Sequence, residues 1–561
     1  MQNKFLMGQL KHLPAILISG LVSFFAVGFF QNFHPSLWGL ILLTILLNVV
    51  FTLVFDELIA HAVVALHNDL KERFLSIILL AICILWVILT FRLLTQYPTL
   101  FSFDLFLPEP DLVPAFLGLT IPSQIGTVFL LQKLDSTRWR SFPVLIWIKR
   151  NLPGLLLASA IAASAYALAT ALVESEPGFA DNYFDTDSPF WLNFLTAAPD
   201  QMMPMRAVHP LALLILRPPV WLLALLLNGD KFHAAILLNS IIGGVCVYLA
   251  WSFFKRRTGN TPYALLIASL LGFSTSHLLL SVFFESYIFS AAALLLFLVL
   301  LQSGKDRLPQ LVPVGLLAFG ITITNFFQTC LVFLFARRRR RDIFPYVLAV
   351  LALAVPLAFV QNALYPSSEP FYKPGNLTGE SAYRYDLLEA PAARTVSRAN
   401  VIFRSVALFS VVAPRPFILL EEIGCTFPCF NTIRSFRGAY LYASYVGFGS
   451  LLARTWFILL VVAGGLFAWK LIQSPKDASL QAALLLNLLF NFILHMNYGD
   501  DPLLYSPDWT YALVLFFGIS FEKFADKKWF QIVLLSFLTA VMFNNMDLFR
   551  KILEAVRPFA S

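Results

Sequence analysis

The chain has 561 residues, 59% of them hydrophobic and 13% charged, with a mean hydropathy of +0.76. Soluble domains carry about 25% charged residues and about 45–50% apolar ones, so this composition excludes a soluble enzyme, a disordered scaffold and a nucleic-acid-binding module with a basic face. The apolar runs are continuous and Leu-rich rather than alternating at period two, which argues against a β-barrel and for an all-α polytopic membrane protein. The net charge of +8 speaks of orientation, because Lys and Arg collect in cytoplasmic loops.

A spanning helix needs about 20 apolar residues. The first run, 13–32, follows Lys4 and Lys11 without a clear cleavage site and is expected to be a retained anchor. Runs follow at 36–55, 74–96, 113–132, 152–173, 232–254, 262–280 and 286–303. The run 309–336 begins and ends beside basic residues, so it is expected to be two short crossings turning near Thr322-Ile323-Thr324-Asn325. The remaining runs are 343–362, 450–471, 478–495, 508–522 and 528–546. The apolar segment 210–228 carries Arg217-Pro218-Pro219. Proline removes a donor and restricts the residue before it, so this segment is expected to break there and to lie along, or dip into, the outer face. Cytoplasmic stretches are marked by Lys133 to Arg150, Lys255-Arg256-Arg257, Lys305 with Arg307, Arg337 to Arg341, Lys470 with Lys476, and Lys523 to Lys528. The sum is roughly 15 crossings, with the N-terminus inside and the C-terminus outside.

Four regions divide the chain: 1–150, 151–362, an external loop region 363–449, and 450–561. Within 1–150, His61 and His67 are six apart and fall off one helical face, so an amphipathic helix is preferred there to a metal site. Cys83, Cys246 and Cys330 lie in apolar runs and read as packing residues, whereas Cys425 and Cys429 share a polar loop where a bridge would imply an oxidising compartment.

Chemistry gathers in the first long external loop, 174–209. Its core is Asp181-Asn-Tyr-Phe-Asp185-Thr-Asp187-Ser-Pro189, directly after a span. Two carboxylates at that spacing suit either a general base, typically worth about 10²–10⁴-fold, or a hard-cation site; they would equally serve to keep a loop solvated. Arg206 and His209-Pro210-Leu211 close the same loop. A guanidinium there suits a phosphate.

An acidic motif early in the first external loop, a His-Pro-Leu element late in it and an apolar stretch after it resemble the GT-C glycosyltransferase superfamily. The similarity is to the branch holding protein O-mannosyltransferases and the enzymes that put aminoarabinose on lipid A. The matching residues are Asp185-Thr-Asp187 and His209-Pro210-Leu211, with Leu211 standing where the family's second Pro would be. The match covers 150–340, and the rest follows only in general layout. The resemblance implies a GT-C-like helical bundle and a polyprenyl-phosphate-linked sugar donor. It also implies transfer to a hydroxyl or amine of a lipid, glycan or protein acceptor at the external face of a bacterial inner membrane. Asp187 or Asp185 would be the base, and the configuration would invert. Arg206, His209, Glu285, Asn325, Arg384 and Tyr505 are the candidate substrate-binding residues, with Arg394, Arg398 and Arg404 as further partners for the leaving phosphate. No cofactor is assigned, and a divalent cation is left open.

Two rivals stand beside this reading. An O-antigen ligase or polymerase would use arginines and a His in a late external loop, but 363–449 contains no His. A transporter or flippase would place charged residues in mid-span and carry inverted repeats.

Overall fold

A computed structural model describes residues 12–133, 141–174, 176, 182–304, 306–336, 340–385, 390–419, 427–436 and 439–559; the side chains of 65–73, 132–133, 336, 340, 436 and 439 lie outside the description. Asp181, Cys425, Lys305, Arg138, Arg140 and Arg337 to Arg339 fall outside it as well.

The chain is an all-α polytopic membrane protein. Among the described residues ten helices are long and apolar enough to cross a bilayer, or eleven if one bent pair counts as a span. They begin with α1 (Leu13–Phe33) and α2 (Leu37–Leu94), which carries two apolar spans, Leu37–Val64 and Phe74–Leu94. α3 (Val113–Lys133), α4 (Pro143–Leu172), α5 (Ser188–Thr196), α6 (Ala212–Leu226) and α7 (Lys231–Thr258) follow. Next come α8 (Thr261–Gly272) and α9 (Thr275–Val282), the pair bent by 61°. α10 (Ser286–Gln302), α11 (Leu308–Ile321), α12 (Ile323–Ala336) and α13 (Ile343–Leu364) complete this half. The segment to Gly447 holds α14 (Pro374–Thr378), α15 (Ala392–Arg404) and two antiparallel pairs, β1 (Phe417–Leu419) with β2 (Cys429–Asn431) and β3 (Ile433–Phe436) with β4 (Ala439–Tyr442). α16 (Phe448–Gln473), α17 (Ser479–Asn497), α18 (Pro507–Ser520) and α19 (Lys528–Val556) end the fold.

All the apolar runs expected to cross are helical. Those below full spanning length are the bent pair, the 17-residue α10 and the 14-residue α11, α12 and α18. A 14-residue helix rises about 21 Å, less than the about 30 Å of a hydrocarbon core. The 309–336 run does break at Thr322, whose backbone is extended between α11 and α12. The 210–228 segment differs from expectation: α6 runs straight through Pro218 and Pro219. Proline's fixed φ is itself helical, so the pair removes two N–H donors without forcing the chain out of the helix.

The helices at the middle of the fold pack closely. A Cβ on Gly244 of α7 would sit 2.7 Å from the Ala158 carbonyl of α4, so the small residue lets the two backbones touch. One end of the bundle gathers the basic loops. Glu522 accepts from Arg257 and, at 2.8 Å, from Lys470, while Arg256 donates to Ser303 and Lys149 to Glu57. The opposite end carries the acidic loop and the segment 365–447.

Candidate functional site

The acidic loop is held by partners far away in sequence. Phe184 N donates to the Phe430 carbonyl at 2.7 Å, and Phe430 N donates to the Asn182 carbonyl at 2.7 Å, so the loop lies along β2. Tyr183 stacks between Phe283 and Phe430, with ring centroids 4.3 and 5.5 Å away. Phe184 and Asp185 both take left-handed backbone, with φ of 57° and 64°. Side chains other than Gly adopt that region at a cost of about 1–3 kcal/mol each when the surroundings impose it, and such strain clusters at functional sites.

This turn delivers Asp187 to the N-cap of α5. An Asp there ordinarily caps the helix with its side chain. Asp187 does not: its carboxylate makes no cap bond. Its backbone N–H donates instead to Glu285 Oε1 at 2.6 Å, and Glu285 also accepts from Ser286 N as the N-cap of α10. The Asp187 carboxylate is therefore part-buried and, among the described residues, makes no hydrogen bond or ion pair. Burial raises its pKa, and the charge of Arg206 pulls it partly back. Asp185 turns another way, accepting from Asp501 N at 3.3 Å. Asp501 in turn accepts from Thr432 and from Leu503 N.

Arg206 forms an ion pair with Glu380, donates to the Tyr498 hydroxyl at 2.6 Å, and lies 4.5 Å over the Tyr383 ring. Tyr498 donates to Glu380 at 2.6 Å, closing a triangle. Burial opposes ionisation of Glu380, but the bonds from Arg206 and Tyr498 outweigh it and hold the carboxyl below the ordinary range. Beside the triangle lies a cavity of about 620 Å³ lined by Leu377, Glu380, Arg384, Phe490, Ile493 and Tyr498, among others. Ile493 and Leu489 of α17 are exposed on the apolar surface, so this cavity meets the lipid-facing side. Arg384 reaches it through a backbone bridge to Tyr498.

His209 is placed differently from a phosphate ligand. Its Nδ1 donates to the Ile321 carbonyl at 2.7 Å, its ring meets Trp191 edge-on at 5.1 Å, and its neighbours Val208 and Leu211 bond Ile323 N and Gly320 O. Burial pushes its pKa down to about 4, so the imidazole is neutral and pins the acidic loop to the break between α11 and α12. Asn325, one turn below that break, donates to Asp508 Oδ1 at 2.9 Å. From there a buried polar ladder continues through Gln328 and Tyr511 to Asn487. Tyr505 stands between these groups: its ring lies 5.1 Å from Tyr287 and 6.1 Å from Tyr498, and it feels the charges of Asp185 and Asp187.

The structure thus gathers Asp185, Asp187, Arg206, Glu285, Arg384 and Tyr505 at one end of the bundle, with His209 and Asn325 at their base. Of the further arginines, Arg398 is buried and donates to the carbonyls of His495, Tyr498, Gly499 and Asp500, while Arg394 and Arg404 lie over Tyr440 and Tyr442. Glu380 and Tyr498 are absent from the sequence reading. Each sits alone in a polar stretch, and only their pairing with Arg206 marks them. Cys429 is disulfide-bonded, while Cys83, Cys246 and Cys330 are free. Among the described residues there is no group of three or more His, Cys, Asp or Glu side chains arranged to hold a metal ion. The chain matches no family model, no curated protein and no solved structure.

Proposed function

We propose that the protein is a membrane glycosyltransferase that moves a sugar from a polyprenyl-phosphate-linked donor to a hydroxyl or amine acceptor at the outer face of a bacterial inner membrane. The observation that carries this reading is the Asp187 carboxylate. It is part-buried at a strained turn, released from capping α5, and raised in pKa by burial. A base poised in this way is suited to taking a proton from an acceptor hydroxyl. The acceptor oxygen then bonds to the anomeric carbon as that carbon's bond to the phosphate oxygen breaks. One displacement inverts the configuration and leaves polyprenyl phosphate.

Arg384 and the lipid-facing cavity supply a place for a phosphate and the start of an apolar tail. Arg206 is already neutralised by Glu380, so its role in this reading is to fix Tyr498 and to tune Asp187. An external site also suits the donor class, because cytosolic nucleotide sugars do not reach it. The test is genetic and chemical. Deletion should accumulate a lipid-linked sugar, wild-type protein should clear it, and Asp187→Asn at equal abundance should not. Full clearance by both Asp187→Asn and Asp185→Asn would overturn the proposal.

One observation favours a transporter as the second reading. The ladder from Asp508 through Asn325, Gln328 and Tyr511 runs inside the helices, where polar groups often mark a path. Gln328→Leu separates the two, abolishing flux in a transporter and sparing turnover in a transferase.

A further inference from the structure

A second cavity, of about 580 Å³, opens between α16 and α19 at the same end of the bundle. It shares no lining residue with the cavity beside Arg384. Its rim is apolar and outward-facing: Val446, Phe448 and Phe543 are 58%, 57% and 48% exposed. Its polar side is Arg415, Asn544, Asp547 and Lys551.

The two sides are layered along α19. Phe543 ends the apolar stretch of the helix. Asp547 and Lys551 follow one and two turns later, about 6 and 12 Å further along the axis. That step matches the passage from hydrocarbon to headgroup at a bilayer surface, which takes about 5–8 Å per leaflet. The charges on α19 cancel locally, since Asp547 accepts from Arg550 and from Lys551 at 2.7 Å, and Glu554 from Arg550. Arg415 is left over. Its backbone is fixed by Arg415 N donating to the Ser444 carbonyl at 2.8 Å, its side chain is exposed, and no described residue pairs with its guanidinium. Among the described residues the cavity therefore carries one positive charge without a counter-charge, at headgroup depth above an apolar rim.

We propose that this cavity binds the phosphodiester headgroup of an anionic phospholipid from the surrounding leaflet. Arg415 meets the phosphate oxygens in its planar fork, Lys551 shares itself between Asp547 and the lipid, and the acyl chains leave past Phe448 and Phe543. This site is independent of the sugar-transfer reading and needs no turnover to be tested.

The experiment is native mass spectrometry of the full-length protein in neutral detergent, titrated separately with phosphatidylglycerol and phosphatidylcholine. A basic residue near a membrane surface is worth about fivefold in attraction to an anionic lipid, so the wild type should prefer phosphatidylglycerol by at least about that factor. Arg415→Gln should remove most of the preference, and Arg415→Gln with Lys551→Gln should remove all of it. Arg307→Gln, an exposed charge at the opposite end, should leave it intact. Millimolar inorganic phosphate should not displace the lipid. Equal binding of the two lipids, a preference surviving in the double variant, or displacement by free phosphate would each overturn the proposal.

Discussion

Replacing Arg398 with Met keeps the volume of the side chain and removes its five donors. Four carbonyls, those of His495, Tyr498, Gly499 and Asp500, lose their common partner. An orphaned buried acceptor costs about 1–3 kcal/mol. These carbonyls lie at the end of the bundle, where water can reach some of them, so the lower figure applies and the sum is about 4 kcal/mol. That is a large part of the about 5–15 kcal/mol of a typical fold, but it is concentrated in one loop. It should therefore appear first as local opening. At 1.4 kcal/mol per tenfold, amide exchange across 495–503 should quicken by up to about 10³-fold, while α4 and α7 stay protected. The same loop carries Tyr498 to Glu380 and Asp501 to Thr432, so turnover should fall with Asp187 untouched. Hydrogen-exchange mass spectrometry of the detergent-solubilised variant reads this directly. Unchanged exchange in 495–503 would refute the reasoning.

Gly499 has φ of +83°, and a Cβ there would stand 2.4 Å from the Tyr505 ring. Gly499→Ala should cost about 2–4 kcal/mol from backbone strain and overpacking together, read as a lowered melting temperature; a change within about 0.5 kcal/mol would contradict the packing described. In the proposed transferase the acid limb of kcat/KM belongs to Asp187. Burial raises that carboxyl above its ordinary 3.8 and Arg206 restrains it, so activity is lost as pH falls through a value above 3.8, and Arg206→Gln should move the limb higher still. A limb that moves down in Arg206→Gln would show that another group titrates. Glu380, held below its ordinary 4.5, contributes stability that is present above that value and lost as pH falls through its folded pKa. Glu380→Gln should therefore melt with less dependence on acidic pH than the wild type.

The helices were legible because apolar run length is a local property. The break at Thr322 could be read too, since charge at both ends of 309–336 demanded a return. Pro218 and Pro219 misled because a helix tolerates proline wherever its lost donors can be spared. The site divides in the same way. Asp185, Asp187, Arg206 and His209 share one loop and stood out as a group. Their partners Glu380, Tyr498 and Asp501 come from 170 to 320 residues away, and nothing in a single sequence pairs residues at that distance. The sequence also could not separate the two aspartates. What separates them is a turn with left-handed Phe184 and Asp185, which ties one carboxylate to Asp501 N and leaves the other without a cap bond.

The most direct measurement is the rate of release of polyprenyl phosphate from a lipid-linked sugar by purified Asp187→Asn protein, set beside its melting temperature. The carboxylate makes no cap bond that the amide would lose, so stability should stay within about 0.5 kcal/mol of wild type, while the rate falls by about 10²–10⁴-fold. A variant that keeps the wild-type rate would contradict the assignment of Asp187 as the base.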